Sequence, residues 1–435
     1  MKKAHLIGLG GAGVSAIAKY LVKEGYAVSG SDDTHSETIQ ELEEHYGVNY
    51  TGKHQREAIS GEIDMVIYTP AVGTGNVEWD KAAELGITMF SYPEYLGEIS
   101  KHKKTIAIAG TNGKSTTTTM TAEVLLEQGF DPTVIVGAKT KKFNSNYRAG
   151  SSDLFLVEAC EYKNSFLSLT PAILVITNMS PDHLDFFGDF ETYLDAFTNL
   201  VKRMDAGATL ICPSQDLLFQ DLVLLAESQG IRVVDFTQQP VPTLSIPGTY
   251  NQSNAQAAAA VVEVLGGDAE VAKTYLEKSF QGLSRRFEYI GQTDTGVEVV
   301  EDYAHNPEGL VMLIDGVHKL YPEKKIHMFF QPHEYPRTKE FFAEFTNALS
   351  GMDSLSILPI YKARKPIDES VSSNLLAQAI SEQNKDSLVL TPQDFNEAVN
   401  VFNRDLADTI DLVLVVGAGD VWNISRMLTK DNHGE

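Results

Sequence analysis

One short stretch, Gly110-Thr111-Asn112-Gly113-Lys114-Ser115-Thr116, sets a primary amine and two hydroxyls beside glycines that let backbone N–H groups approach an oxyanion. Such a turn grips phosphate. Lys114 reaches β/γ-phosphates, Ser115 offers a hydroxyl to Mg²⁺, and a helix predicted over Thr116 to Gln128 points its positive end at the anion. Five residues before Gly113, where a P-loop usually carries glycine, stands Ile108. The motif is therefore a P-loop variant, and it reads as an ATP site.

Carboxylates and histidines gather at the ends of other apolar runs. Glu158 closes Leu154 to Val157, a position where a second metal or an attacking group is arranged, and is followed by Ala159, Cys160 and Glu161. His183, after Asp182, is a Mg²⁺ ligand candidate in company with Glu158. Further along, Glu301-Asp302-Tyr303-Ala304-His305-Asn306-Pro307 closes a strand and opens a helix, so that Asp302 can hold a ribose and His305 can face a substrate. One strand later Arg337 can grip a carboxylate with both arms of its guanidinium. The late Gly417-Ala418-Gly419-Asp420 reads as a tight turn.

Near the start, Gly8-Leu9-Gly10-Gly11-Ala12-Gly13 lies between a strand and a helix, and Asp32 and Asp33 end the next strand. This pattern fits NAD(P), but a glycine turn at a helix N-terminus binds a diphosphate whatever is attached to it, and a strand-end carboxylate binds any ribose. A UDP-sugar satisfies both contacts. The ATP turn downstream favours an enzyme that joins a UDP-linked acid to an amine; an NAD(P)-dependent oxidoreductase remains the alternative from another class.

These residues require an α/β framework. A βαβ opening is expected from strands at Lys3 to Leu9 and Tyr26 to Ser31 around a helix from Gly13 to Glu24, with a further strand at Asp64 to Tyr68. The charged Ser100-Lys101-His102-Lys103-Lys104 marks a boundary, and a new strand–helix alternation begins near residue 288. Three domains are expected: a Rossmann-like module over 1–103, a central P-loop ATPase-like αβ module over 104–287 and a C-terminal Rossmann-like αβ module over 288–435. The 435 residues carry 35 Lys plus Arg against 59 Asp plus Glu, a formal charge of −24, which argues against nucleic acid and anionic membranes as partners. The two cysteines, Cys160 and Cys212, lack metal-type spacing and read as buried thiols in a reducing compartment. With an opening apolar run too short for a signal peptide or a membrane span, the expectation is a cytoplasmic protein.

In this order the motifs resemble the Mur ligase family, and within it the alanine-adding branch, over nearly the whole chain. The Gly8 to Gly13 turn with Val14-Ser15-Ala16 looks like the family's UDP-binding turn, Glu158-Ala159-Cys160-Glu161-Tyr162 like its second-metal strand, and Phe330-Gln331-Pro332-His333 is characteristic of that branch. The resemblance implies ATP as co-substrate, Mg²⁺, and UDP-N-acetylmuramate and L-alanine as the groups joined, through an acyl phosphate, by a monomer or weak homodimer. It also implies roles. Gly110, Thr111, Asn112, Gly113, Lys114, Ser115 and Thr116 would hold ATP, with Asn251 and Asn254 on its adenine side, Arg286 at its phosphates and Asp302 at its ribose. Ser115, Glu158 and His183 would hold metal. Gly10, Gly11, Ala12, Gly13, Ser31 and Asp32 would bind the UDP-sugar, while Tyr303, His305 and Arg337 would line the amino-acid pocket and His305 could take the amine's proton. Asn112, Tyr250 and Glu334 depart from that branch, which usually carries His, His and Arg there. A D-glutamate-adding or peptide-recycling ligase of the same family is the nearest rival.

Overall fold

The computed structural model describes residues 1–244, 246, 248–363 and 366–429, without the side chain of Asp185. The chain divides into two compact units, one of Met1–Thr243 with Ser253–Phe280, the other of Leu244–Gln252 with Gln281–Glu435.

The first unit carries two sheets. The leading one comprises β1 (Lys3–Ile7), β2 (Ala27–Ser31), β3 (Asn49–Tyr50), β4 (Met65–Tyr68) and β5 (Thr88–Ser91) in the order β3-β2-β1-β4-β5, with every pairing parallel. Helices α1 (Ala12–Lys23), α2 (Glu37–Tyr46), α3 (Val77–Glu84) and α4 (Tyr92–Ser100) connect them. In α1 the apolar residues Val14, Ile17, Ala18 and Leu21 recur at helical spacing and are buried. Burying each of the larger three contributes roughly 1.5–3 kcal/mol, which ties the helix to the sheet whatever its intrinsic propensity.

The second sheet adds β6 (Lys104–Ala109), β7 (Thr133–Thr140), β8 (Ser145–Arg148), β9 (Leu154–Glu158), β10 (Ile173–Ile176), β11 (Thr209–Cys212) and β12 (Arg232–Asp235), in the order β12-β11-β10-β6-β9-β7-β8. Strand β6 lies between β10 and β9, with Ile106 opposite Ile173 on one side and Leu156 on the other. Its Ile106, Ala107, Ile108 and Ala109 are fully buried, as expected of a parallel strand covered on both faces. Ile108 is still inside the strand, paired with Val175, so the loop's first glycine is Gly110. Helix α5 (Lys114–Glu127) follows directly.

In the second unit β13 (Glu288–Gln292), β14 (Glu298–Asp302), β15 (Ile326–Phe330), β16 (Ser354–Ile357), β17 (Leu388–Leu390) and β18 (Leu412–Val416) take the order β13-β14-β18-β15-β16-β17. The β13–β14 pair is antiparallel and the rest parallel. The mixed α/β class expected from the sequence is the class observed. Most element ends moved by one to three residues. The β7–β8 hairpin has no apolar run to mark it, since Gly137, Lys139, Ser145 and Asn146 interrupt one; antiparallel pairing of Ile135 with Tyr147 and Thr140 with Ser145 defines it instead. Cys212 is buried as expected, but Cys160 is exposed, because it falls in the turn after β9 rather than inside the strand.

Candidate active site

The phosphate turn is held rigidly by its neighbour β10. Thr111 N–H donates to the Asn178 carbonyl at 3.0 Å, Asn112 N–H to Asn178 Oδ1 at 3.0 Å, and the Asn178 amide and Thr177 hydroxyl both donate to the Asn112 carbonyl at 2.9 and 2.7 Å. The Thr111 hydroxyl accepts from Ser180 N–H and lies 2.7 Å from the Tyr193 hydroxyl. Two glycines are dictated by shape. At Gly110 (φ +126°) a Cβ would stand 2.1 Å from Thr177 Oγ1, and at Gly113 (φ +84°) 2.3 Å from Asn254 Oδ1. Asn254 thus packs against the turn. Asn251, in the same helix (Thr249–Val264), belongs to the second unit's segment.

Lys114 folds back over the loop. Its Nζ donates to the carbonyls of Gly110 and Thr111 at 2.6 and 2.9 Å and to Glu161 at 3.0 Å. Burial works against its charge, but Glu161, backed by Cys160 and Glu158, outweighs burial and holds the lysine above its usual value. Ser115 and Thr116 sit buried in the first turn of α5.

The acidic ligands fall differently from the sequence expectation. Glu161, Asp182 and His183 each present one ligand atom within 4.8 Å of the others, and Glu161 is 1% exposed. Its Oε2 is buried without a hydrogen bond, although Lys114 Nζ lies 3.0 Å away as an ion pair. Glu158 is absent from this group; its carboxylate accepts the Gly137 N–H at 2.7 Å. The reason is local. After β9 the chain turns through two left-handed residues, Lys163 (φ 53°) and Asn164 (φ 58°), and His183 is itself left-handed (φ 52°). Glu158 is the last residue of β9, whereas Glu161 lies beyond the strand end, and it is Glu161 that stands with Asp182 and His183. Its place three residues after Glu158 in the same motif is the sequence signal for it.

At the first glycine turn, Gly10 N–H donates to Asp32 Oδ2 at 2.9 Å. Gly11 lies 3.2 Å, N to O, from the Gly8 carbonyl, closing the turn before Ala12 opens α1. A Cβ on Gly13 would strike the Tyr92 ring at 2.6 Å. Ser31 is fully buried and spent on other partners: its hydroxyl donates to Glu78, and His54 Nδ1 lies 2.8 Å away. Glu78, also fully buried, further accepts Gln55 N–H at 3.0 Å. Burial pushes its carboxyl up, but His5, Ser31 and Gln55 together leave it below the usual carboxylate value.

The second unit builds a separate cluster at the C-terminal ends of β14, β15 and β18. Asp302 accepts Phe287 N–H at 2.9 Å and Ala304 N–H at 2.8 Å, one on each carboxylate oxygen. Burial raises its carboxyl against the pull of Arg286. The guanidinium groups of Arg285 and Arg286 lie 5.0 and 4.8 Å from the Tyr303 ring centre. His305 packs edge-on to Tyr303 and to His333, which stacks on Tyr361. Burial, then Arg337 and Arg285, push His333 down to about 4, so it is a neutral imidazole at neutral pH. Arg285 also donates to the carbonyls of Gly417 and Gly419 at 2.7 and 3.1 Å. The glycine-rich turn after β18 is therefore more than a turn. Tyr250 faces Asp302 and Arg286 electrostatically. Glu334 is left-handed (φ 67°) and caps the helix Tyr335–Glu340, so its backbone does structural duty.

The first unit thus brings together the phosphate turn, Asn254 and His183, and adds Glu161, Asp182 and Asn178. The second brings together Asp302, Tyr303, His305, Arg286 and Arg337, and adds Arg285 and His333.

A parallel β-strand running into a lysine-bearing glycine turn, beside an acid–imidazole cluster, is the form of a nucleotide-binding α/β protein, and comparison with known proteins gives the class. Residues 3–104 match the model described as Mur ligase family, catalytic domain, residues 108–242 the Mur ligase middle domain, and residues 285–419 the Mur ligase, glutamate ligase domain. The chain belongs to the Mur ligase family. It is 36% identical to the UDP-N-acetylmuramate–L-alanine ligase of Clostridium kluyveri, across 98% of this chain and 97% of that one. The enzyme of the same name from Caldanaerobacter subterraneus is 35% identical, across 99% and 98%. Among solved structures, the UDP-N-acetylmuramate-alanine ligase of Thermotoga maritima aligns with a TM-score of 0.78 at 26% identity, covering 98% of each chain. The murein peptide ligase of Psychrobacter arcticus shares the fold, with a TM-score of 0.70 at 19% identity and 98% coverage of each chain.

Proposed function

We propose that this chain joins L-alanine to the carboxylate of UDP-N-acetylmuramate, consuming ATP through an acyl phosphate and releasing ADP and phosphate, a step in peptidoglycan precursor synthesis. The observation that carries this reading is the near full-length likeness to alanine-adding ligases, set beside a lysine on a phosphate turn that pairs with a buried carboxylate. Full-length agreement with one ligase family leaves the oxidoreductase alternative unfavoured.

Amide formation from a carboxylate and an amine is uphill in water, so the acid must be activated first. The carboxylate oxygen attacks the γ-phosphorus and ADP leaves. Both reactants are anionic, so the work is positioning and charge neutralisation. Lys114 leaves its loop carbonyls for the β/γ-phosphates, the N–H groups of Gly113 to Thr116 cradle them, and Arg286 adds a second cation. Asn254 and Asn251 face the adenine and Asp302 the ribose. The alanine amine then attacks the acyl carbon and phosphate leaves; Tyr303, His305 and Arg337 line its pocket, and His305 is placed to accept the amine's proton. Gly10 to Gly13, with Asp32, hold the UDP-sugar, while Ser31, buried on Glu78 and His54, supports the end of β2 from behind.

The cluster of two carboxylates and an imidazole, with a buried Glu161 oxygen lacking a hydrogen bond, suits Mg²⁺. Glu161, Asp182 and His183 would hold it, with Ser115 from the phosphate turn, and Glu158 would support the site from Gly137. When bound, the ion neutralises charge building on the transferred phosphoryl group.

The modules serving UDP-sugar, ATP and amino acid are assigned to 1–103, 104–287 and 288–435. We assign the enzyme to the cytoplasm as a monomer or weak homodimer. Among the described residues no helix is long and apolar enough to cross a membrane, and the charge of −24 disfavours polyanionic partners. ADP release measured with UDP-N-acetylmuramate against L-alanine, glycine, L-serine, D-glutamate and a tripeptide tests the reading. Release dependent on L-alanine is expected; release only with D-glutamate or the tripeptide would move the chain to another branch, and none at all would reject the ligase.

A further inference from the structure

The side chain of Asn146, on β8 of the ATP-binding sheet, touches the helix that begins at the first glycine turn. Its Nδ2 donates to the Ala12 carbonyl at 2.6 Å and lies 3.3 Å from the Ser15 hydroxyl, while its Oδ1 accepts from Lys19 Nζ at 3.3 Å. Lys19 is a lysine only 2% exposed. Its ammonium also donates to Ser145 at 3.0 Å and to Glu41 of α2 at 2.7 Å. One amide therefore reads two successive turns of α1, and one buried charge ties α1, α2 and β8 together.

The connection continues toward the reacting end. Strand β8 pairs with β7, and Gly137 of β7 donates to Glu158 at the end of β9, three residues before Glu161 and its partner Lys114. All of these residues belong to the first compact unit. A donor diphosphate at the start of α1 and a triphosphate at the start of α5 thus rest on elements linked by side-chain hydrogen bonds and one hairpin.

We propose that Asn146, with Lys19, is a positioning residue for ligation: it fixes the start of α1 so that the carboxylate of a UDP-linked acid meets the γ-phosphate. The inference rests on the function proposed above. Burying a lysine is costly unless every proton finds an acceptor, and here three acceptors do so at the junction rather than elsewhere along α1. Because an ångström-scale misplacement of reactants costs up to ~100-fold in rate, loosening this junction should lower turnover without weakening either substrate's own contacts.

The test compares wild type with Asn146→Asp and Asn146→Ala, using ATP, UDP-N-acetylmuramate and L-alanine. Asn146→Asp keeps the shape and the acceptor for Lys19 but replaces the donor to the Ala12 carbonyl with a carboxylate oxygen, and a thermal melt beside wild type identifies folded protein. Both variants are expected to lose ~10-fold or more in kcat, with KM for each substrate within about twofold of wild type. Unchanged kcat in folded Asn146→Asp would overturn the proposal, and so would a kcat loss matched by an equal rise in KM for the UDP-linked acid alone, which would make Asn146 part of the turn's shape. Inactive wild type would instead count against the proposed function.

Discussion

The phosphate turn of the first unit and the strand-end cluster of the second solve opposite problems. Thr111 and Asn112 of the turn are bonded by Thr177 and Asn178, just past the end of β10, Lys114 bonds the Gly110 and Thr111 carbonyls, and the turn's positive φ angles fall on glycines. In the second cluster Arg285 (φ 60°), Phe287 (φ 47°) and Glu334 (φ 67°) occupy the left-handed region without being glycine. Buried Gln331 Oε1 and His333 Nδ1 there lack hydrogen bonds. A site for an invariant ligand such as triphosphate can be finished in advance. If the second cluster receives the amino acid as proposed, its strain and unmet polar atoms are what the ligand would satisfy.

The contrast can be broken most forcefully at Lys114. Lys114→Ala should lower kcat at least ~100-fold, the scale of losing one preorganised charge-stabilising donor, and also destabilise the first unit by leaving buried Glu161 without its cation; near-normal turnover would remove the turn from the chemistry. The next largest effect separates two carboxylates. Glu161→Gln should cost ~30-fold or more in kcat and raise the Mg²⁺ concentration needed for half-maximal rate, whereas Glu158→Gln should leave that concentration within about threefold. The reverse order, read from Mg²⁺ titrations, would restore Glu158 as the ligand.

Smaller effects concern stability. Gly113→Ala forces a Cβ into Asn254 at positive φ and should destabilise the first unit by about 1–3 kcal/mol, measured by denaturant unfolding. An unchanged midpoint would show the turn to be pliable. Beside the phosphate turn, helix α5 holds a perturbed acid: Glu123 is 3% exposed, its Oε2 accepts the Tyr275 hydroxyl at 3.0 Å, and burial pushes its carboxyl up to about 7. A carboxyl raised in the fold favours folding when protonated, so its contribution is complete below the ordinary value of 4.5 and disappears as pH rises through about 7. Between pH 5 and 8 wild type should therefore lose about 1–3 kcal/mol that Glu123→Gln does not lose. Parallel stability profiles for the two proteins would contradict this.

The same contrast explains what could be read without coordinates. The strand Lys104–Ala109, its glycines and Lys114 are contiguous, so local spacing carried the geometry, and the α/β class followed from apolar runs separated by helical periods. Glu158 and Glu161 stand three residues apart in one motif, and choosing between them needs the tertiary approach of Asp182 and His183, which spacing along the chain does not give. Asn178 and Tyr193 act through tertiary hydrogen bonds more than sixty residues from Thr111 and Asn112 in sequence. Arg285 and His333 join residues from different strand ends, and the polar β7–β8 hairpin has no apolar period to betray it. The roles assigned to Ser31 and Asp32 also look different once Glu78 and Gly10 are seen to occupy them.

Isotope transfer tests the central claim most directly. UDP-N-acetylmuramate labelled with ¹⁸O in its carboxylate, turned over with ATP and L-alanine, should deliver one labelled oxygen into each inorganic phosphate released, because that oxygen bridges carbon and phosphorus in the acyl phosphate. Unlabelled phosphate accompanying amide formation, or AMP in place of ADP, would contradict the account.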